Sequence, residues 1–376
     1  MESMYDNMKA SMNTILITKD ISKHILMAGN YYKHHHPGGI SAVVQYWSEY
    51  IDGLQYYPTY KLSNIFVRSW YFLSAYVNLT FRMLTDKNIK VLHLHTAADG
   101  SFWRKAQLVK LGHFFHKKVI LHIHASRFKD FYNDSSAKKR IWIKNVLTEV
   151  DVLIVLSESW KQRFIDLGMP ENKIVILHNI TPYPTIMSAA RKKNDEKTHF
   201  LFLGEIGQRK GVFDIIRGIA MKKEQFLGHM ELKIGGNKNE EKLKKQIKDF
   251  NIQEIVTFEG WVSGNKKLEL LNWADVFILP SFNEGLPISI LEAMSYGMPI
   301  ISTPVGGIPE VVKNNLNGTI ISPGNAEEIS IAMMKYIASP EIIKAEGEDS
   351  KNIVKFYLPE YVLNHLKNIY EKLINS

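Results

Sequence analysis

Short unbroken apolar runs alternate with helix-length amphipathic stretches along most of the chain. In the first half the runs are 14–18, 90–95, 119–124, 152–156 and 173–177, and 40–51, 102–115, 137–147 and 158–167 carry apolar residues at helical spacing. Strands buried on both faces of a parallel sheet read as continuous Val/Ile/Leu runs, and a crossover helix must separate each from the next. The second half keeps this rhythm, with runs at 199–203, 231–234, 255–258, 276–279 and 300–302 and helices near 211–221, 240–250, 267–273 and 288–296. No residue-level repeat relates the halves.

The rhythm breaks between 179 and 198. Thr181-Pro182-Tyr183-Pro184 interrupts regular structure, and Arg191-Lys192-Lys193-Asn194-Asp195-Glu196-Lys197 is a solvated charge run. The pattern predicts an α/β protein of two doubly wound, Rossmann-like parallel-sheet domains, 1–180 and 181–358, facing across a cleft. A C-terminal helix at about 359–376 is expected to pack back on the first domain. Ligands of such sheets bind beyond the carboxyl ends of the strands, so chemistry is expected in the loops that follow them.

Composition narrows the class. Among 376 residues there is no cysteine, which excludes disulfides, Cys-ligated metals and a thiol nucleophile. Residues 1–11 are polar and lack the apolar core of a signal peptide. The apolar run 65–81, interrupted by Arg68 and Asn78, is too short and polar to span a bilayer. The formal charge of +9 lies entirely before residue 181, and 61–140 alone holds 15 basic against 4 acidic residues. Such an excess suggests a surface facing nucleic acid, acidic lipid or phosphates. Residues 102–115 read as a basic amphipathic helix, with Arg104, Lys105 and Lys110 beside Phe102, Trp103, Leu108 and Leu111, and with Trp70 suggest docking on an anionic membrane.

Four stretches carry candidate chemistry. In Pro280-Ser281-Phe282-Asn283-Glu284-Gly285-Leu286-Pro287 a strand ends and a helix begins near Pro287, a residue suited to a first helical turn. Glu284 then precedes a helix N-terminus, and Glu292 lies about 7.5 Å further along the axis at 1.5 Å per residue. Two carboxylates so offset can hold two parts of one extended ligand; singly, each reads equally as a cap or a solvated residue. Next, Leu203-Gly204-Glu205-Ile206-Gly207-Gln208-Arg209-Lys210-Gly211 runs from a strand through a glycine-bearing basic loop, a phosphate-binding design that matches no nucleotide fingerprint. Third, His36-Pro37-Gly38-Gly39 lets the backbone approach a phosphate or sugar; adjacent histidines share no face, so no metal is expected there. Last, His93 and His95, and His122 and His124, share faces in their strands, with His95 and His124 at the strand ends and His93 and His122 in structural positions.

Together these motifs resemble the retaining glycosyltransferases of family 4, of GT-B fold. Glu284 and Glu292 form an E-x(7)-E pair within P-S-x-x-E-G-x-P-x-x-x-L-E-A-M-x-x-G-x-P, followed by Val305-Gly306-Gly307-Ile308-Pro309-Glu310 and Asn317-Gly318, and preceded by Gly260-Trp261-Val262. The resemblance covers nearly the whole chain and is strongest over 198–325. It implies that Glu284 contacts the donor sugar's hydroxyls, that the backbone at Gly285 and Leu286 meets sugar and diphosphate, and that Glu292 binds the ribose. It implies Lys210 as the diphosphate's cation, Trp261 and Val262 beside the base, Gly38 and Gly39 on the donor side, and His124 on the transferred sugar. His95 and Asp99 are the acceptor-side candidates. One departure stands out: where many members have Arg, this chain has Glu205, and Arg209 is expected to take over its charge.

The resemblance further implies a hexosyl donor that is a nucleotide-diphosphate sugar, UDP-linked by family frequency, and a saccharide or lipid-linked oligosaccharide acceptor in capsule, exopolysaccharide or lipopolysaccharide synthesis. No D-x-D-type cluster follows a strand, so neither metal nor cofactor is expected. The protein is expected in the cytoplasm, at the inner face of the cell membrane if the basic segment docks there. Two other readings stand beside it: a GT-B sugar-nucleotide epimerase, which needs no acceptor, and a basic nucleic-acid-binding protein, although no nucleic-acid module is present and no nucleic-acid partner is expected.

Overall fold

The computed structural model describes residues 14–33, 38–124, 126–186 and 196–376. His36 and Pro37 of the Gly-Gly motif, and 191–195 of the charge run, lie outside the described residues. The chain divides into two compact units, 1–180 with 357–376, and 181–356.

The first unit is built on six strands: β1 (Ile25–Asn30), β2 (Tyr56–Tyr60), β3 (Val91–Thr96), β4 (Lys118–Ile123), β5 (Val152–Val155) and β6 (Ile174–Ile176). They pair in parallel in the order β2-β1-β3-β4-β5-β6. Order reverses between β1 and β3, so the loops after these strands flank the crevice where such sheets bind ligands. The expected first strand at 14–18 is not one; Ile17 makes only an isolated bridge to Ile51. The strand is β1, a short buried run whose Ala28-Gly29-Asn30 end obscures it in the sequence. Strand β2 contains Pro58, which an edge position tolerates because one side of the strand needs no donor.

Helix α1 (Gly39–Tyr50) follows β1, α2 (Ile65–Thr85) follows β2 and α3 (Gly100–Phe114) follows β3. Asn64 caps α2 by accepting from the Val67 N–H at 3.0 Å. This 21-residue helix buries only Ala75, Leu79 and Met83. No helix among the described residues is long and apolar enough to cross a membrane. Helix α3 corrects the reading of 102–115. Phe102, Lys105 and Leu108 are fully buried, Leu111 nearly so, and Trp103 stacks on Trp142 at 3.8 Å between ring centres. Lys105 follows Phe102 by three residues and so shares the face that packs on the sheet; its Nζ donates to Thr59 Oγ1 at 2.5 Å. Among the described residues of this unit α2 carries the longest row of exposed apolar side chains, while Trp103 and Phe114 of α3 also reach solvent. The C-terminal helix Pro359–Ile374 returns to the unit, where the Tyr370 hydroxyl meets His93 Nδ1 at 2.7 Å.

The second unit repeats the architecture with β7 (Thr198–Leu203), β8 (Met230–Gly235), β9 (Val256–Gly260), β10 (Val276–Leu279), β11 (Ile300–Ser302) and β12 (Gly318–Ile320), in parallel order β12-β11-β10-β7-β8-β9. The reversal now falls between β7 and β10. The loops after these strands, leading to α4 (Val212–Met221) and α5 (Ile288–Ser295), are the two basic and acidic stretches singled out above.

Candidate functional site

The two loops of the second unit are locked together before any ligand arrives. After β7 the chain makes a single 3-10 turn, Gln208–Lys210, and Gly211 takes φ 71° to enter α4. A Cβ there would collide with the Pro280 carbonyl, so only glycine lets the loops approach. The Phe282 N–H donates to the Arg209 carbonyl at 2.8 Å. Across this junction Lys210 Nζ donates to Glu284 Oε1 at 2.6 Å, and Ser281 Oγ donates to the same oxygen at 2.8 Å. Arg209 Nη1 reaches the Asn283 carbonyl at 3.1 Å and Glu284 Oε1 at 3.5 Å.

Glu284 is 7% exposed, a burial a carboxylate tolerates only when paired and hydrogen-bonded. Its backbone is braced from behind by Gly306, at φ 60°, where any side chain would strike the Glu284 carbonyl, and the Gly307 N–H donates to the Gly285 carbonyl at 2.6 Å. Gly285 and Leu286 are buried beside it. Pro287 is the residue before α5 rather than its first turn, and Glu284 is drawn to Lys210 instead of capping the helix.

Glu292 sits one turn and more into α5, 3% exposed, and accepts from Lys267 Nζ of the helix Gly264–Trp273 at 2.5 Å. Trp261, half exposed, and buried Val262 follow β9. Glu205, at the position of the expected arginine, pairs with Lys238 at 2.8 Å and turns away from Glu284's cations. The structure therefore brings Lys210, Arg209 and Glu284 into one cluster and leaves Glu205 outside it. Sequence reasoning missed Ser281, Lys267 and Lys238; only Ser281 lay inside a recognised motif, and the two lysines belong to helices and loops with no pattern of their own.

The other candidates belong to the first unit. His124, partly exposed, meets His95 Nδ1 through its Nε2 at 3.0 Å. His93, His95 and His122 are fully buried around Trp47, whose ring lies 5.2 Å from His95 and 5.8 Å from His122. Burial pushes His93 and His124 down to about 3, and holds His95 and His122 well below the usual histidine range. All four rings are thus neutral at pH 7. The nitrogens of His93, His95 and His122 lie within 4.8 Å of one another, the one grouping of metal-ligating side chains among the described residues. However, the His93 and His95 rings stack at 4.5 Å and 11°, so their in-plane lone pairs do not converge on a point. Gly38 and Gly39 are exposed at the start of α1, Gly38 at φ 132°. Asp99 precedes α3 at φ 54° without capping it.

Two family descriptions match the chain: "Glycosyltransferase Family 4" over residues 43–181 and "Glycosyl transferases group 1" over 185–353. Among curated relatives, the alpha-galactosylglucosyldiacylglycerol synthase of Streptococcus pneumoniae is 28% identical over 61% of this chain and 63% of its own. The putative colanic acid biosynthesis glycosyltransferase WcaL of Salmonella typhimurium is 23% identical over 50% of this chain, which spans about half, 47%, of that relative. Among solved structures, Anabaena HepE in complex with UDP and glucose superposes with a TM-score of 0.73 at 14% identity, covering 94% of this chain and 100% of that one. At that identity the likeness speaks for the fold, two Rossmann-like domains of GT-B type.

Proposed function

Because the chain belongs to the glycosyltransferases of family 4, we propose that it moves a hexosyl group, with retention and without metal, from a UDP-linked sugar. The acceptor in this reading is a saccharide or lipid-linked oligosaccharide in capsule, exopolysaccharide or lipopolysaccharide synthesis. The reading places the enzyme in the cytoplasm, in peripheral contact with the anionic inner face of the membrane through residues 61–140. It rests above all on Lys210 and Arg209 converging on Glu284 at the reversal point of the second sheet. Relatives acting in colanic acid and glycolipid synthesis favour the pathway and acceptor classes.

In this mechanism the C1–O bond to the leaving diphosphate breaks with its electron pair moving to the phosphate oxygen. Lys210 and Arg209 offset that charge as it develops, which is where fixed cations contribute most to rate. The N–H groups of Gly285 and Leu286 complete the cradle, and Glu284, held by Ser281 and Lys210, orients the sugar's hydroxyls. The acceptor hydroxyl attacks C1 from the same face, and its proton passes to the departing phosphate oxygen, so no enzymic nucleophile is required. Glu292, anchored by Lys267, takes the ribose hydroxyls; Trp261 and Val262 flank the base. On the first unit Gly38 and Gly39 approach the donor, neutral His124 hydrogen-bonds the transferred sugar and Asp99 faces the acceptor; His95, expected on the acceptor side, is fully buried and acts only through its contact with His124. This reading assigns the charge on the leaving diphosphate to the two basic side chains.

A thermal-shift panel of nucleotide sugars, followed by turnover with the best binder, tests the reading. Stabilisation by one UDP-sugar and its loss in Lys210→Ala are expected. Donor consumption without any acceptor would point to the epimerase instead, and indifference to all nucleotide sugars would refute both.

A further inference from the structure

We propose that Glu284 is also the built-in counter-ion of the diphosphate cradle: its carboxylate competes with the leaving nucleoside diphosphate for Lys210 and Arg209, and so drives that product out after transfer. Glu284 then serves the donor through the sugar's hydroxyls and the product through its charge. Its part in turnover rests on the transfer reading; its effect on nucleotide binding needs no acceptor.

Three donors meet on one oxygen of that carboxylate. Glu284 Oε1 lies 2.6 Å from Lys210 Nζ, 2.8 Å from Ser281 Oγ and 3.5 Å from Arg209 Nη1. Among the described residues neither cation has a second carboxylate within ion-pair distance. Glu205 and Asp214, the acids that flank the basic turn, are taken by Lys238 and Arg217. The cradle is thus a set of two positive groups and one negative group. Little of the Lys210 or Glu284 side chain reaches solvent, and buried charges are screened far less than surface ones. Nor can the carboxylate swing far away. Fully buried Ser281 holds Oε1, Gly306 at φ 60° braces the backbone behind it, and the Phe282 N–H ties its loop to the Arg209 carbonyl at 2.8 Å. A diphosphate that reaches for Lys210 and Arg209 therefore meets a fixed negative charge that already holds both.

That charge acts unequally on the two ends of the reaction. As the C1–O bond breaks, its electron pair stays on the diphosphate, and the acceptor's proton passes to that oxygen and then to water. The nucleoside diphosphate is left with one negative charge more than the nucleotide sugar. Repulsion from Glu284 is correspondingly stronger for the product, and the bond between its carboxylate and a sugar hydroxyl is gone once the sugar has moved. Both effects favour departure of the product over departure of the donor. A cradle of uncompensated cations would instead hold the more highly charged diphosphate tightly, and product release limits turnover in many enzymes.

Isothermal titration calorimetry of the full chain with UDP, UMP and uridine tests this. Glu284→Gln keeps the shape of the side chain and removes its charge. It should bind UDP at least about tenfold more tightly than the parent, the effect of taking one like charge from a poorly screened site. The gain should shrink for UMP and vanish for uridine, which carries no phosphate. Glu284→Asp keeps the charge and should stay within about threefold of the parent for UDP. Glu284→Ala serves if Glu284→Gln does not fold, with a gain in the same direction. Parent-like or weaker UDP binding in the neutral variants, or a gain as large for uridine as for UDP, overturns the proposal and leaves Glu284 a staple of its loop. Such a result, with UDP bound by the parent, refutes this proposal alone. UDP binding absent from parent and variants alike refutes the UDP-donor reading and this proposal together.

Discussion

Acidification should unfold the first unit well before it protonates ordinary carboxylates. Four imidazoles, His93, His95, His122 and His124, are held neutral by burial, His93 and His124 down to about 3. Released into the unfolded chain, each titrates near 6.5. A folded pKa below the unfolded one means that the unfolded state binds the extra protons. Stability is then full above pH 6.5 and falls as pH drops below it, by about 1.4 kcal/mol per unit for a ring that stays neutral in the fold. At pH 5 a ring kept neutral by the fold costs about 2 kcal/mol, and all four histidines act in the same direction against a whole stability of about 5–15 kcal/mol for a typical domain. The groups packed on the cluster, the Tyr370 and Tyr56 hydroxyls and the Lys105 amine, offer no negative charge to compensate. Carboxylates titrate near 4, so the interval from pH 7 to 5 isolates the histidines. Urea unfolding at pH 7 and 5, followed by tryptophan fluorescence, reads the loss directly. Among the described residues neither ring nitrogen of His122 has a partner, so His122→Leu removes one titration without breaking a hydrogen bond, and it should flatten the loss of stability between pH 7 and 5. A wild-type stability change below about 1 kcal/mol between the two pH values, or a His122→Leu variant with the wild-type slope, would refute the burial argument.

Three further outcomes follow from the second unit. Lys210→Ala should lower kcat by about a hundredfold, and Arg209→Ala nearly as much, because both cations reach Glu284 Oε1; steady-state kinetics with wild-type turnover in Arg209→Ala would make Arg209 a surface residue only. Lys267→Ala should raise the donor KM several-fold with a smaller change in kcat, since Lys267 acts by positioning Glu292; a kcat loss with unchanged KM contradicts that role. Gly306→Ala, at φ 60° against the Glu284 carbonyl, should destabilise the unit by about 2 kcal/mol or more, and an unshifted urea midpoint would show that the loop has room to move.

The parts of this protein legible in its sequence are those fixed by short-range physics. Buried parallel strands carry dense apolar runs, so β3 to β11 announce themselves, even where Glu231 and Lys233 alternate into β8. Strand β2 does not, because Tyr-Tyr-Pro-Thr-Tyr is an edge strand whose aromatics stay half exposed. β12 is three residues long and begins with Gly318, leaving too little pattern to read. Helix α3 shows the opposite failure. Its charges are legible, but which face meets the sheet is decided by tertiary packing, and Lys105 is carried into the core by its neighbours Phe102 and Val109.

The site divides along the same line. Glu284, Glu292 and Lys210 lie in loops and a helix start whose glycines and prolines mark tight geometry, so spacing exposes them. Their partners lie far away in sequence: Lys267 stands 25 residues before Glu292, and Lys210 meets Glu284 across 74 residues. The replacement of an expected arginine by Glu205 is intelligible only with these contacts in view. Glu205 is neutralised by Lys238 on the neighbouring loop, so it adds no net negative charge to the cradle, while Arg209 turns inward onto the Asn283 carbonyl and Glu284. A positive charge lost at one position of the loop is thus present four residues later. A reciprocal exchange makes the point measurable: Glu205→Arg should restore activity to Arg209→Ala only if the cradle counts charge rather than position, and failure of that rescue in turnover assays would mean that the direction from which the guanidinium approaches is what matters.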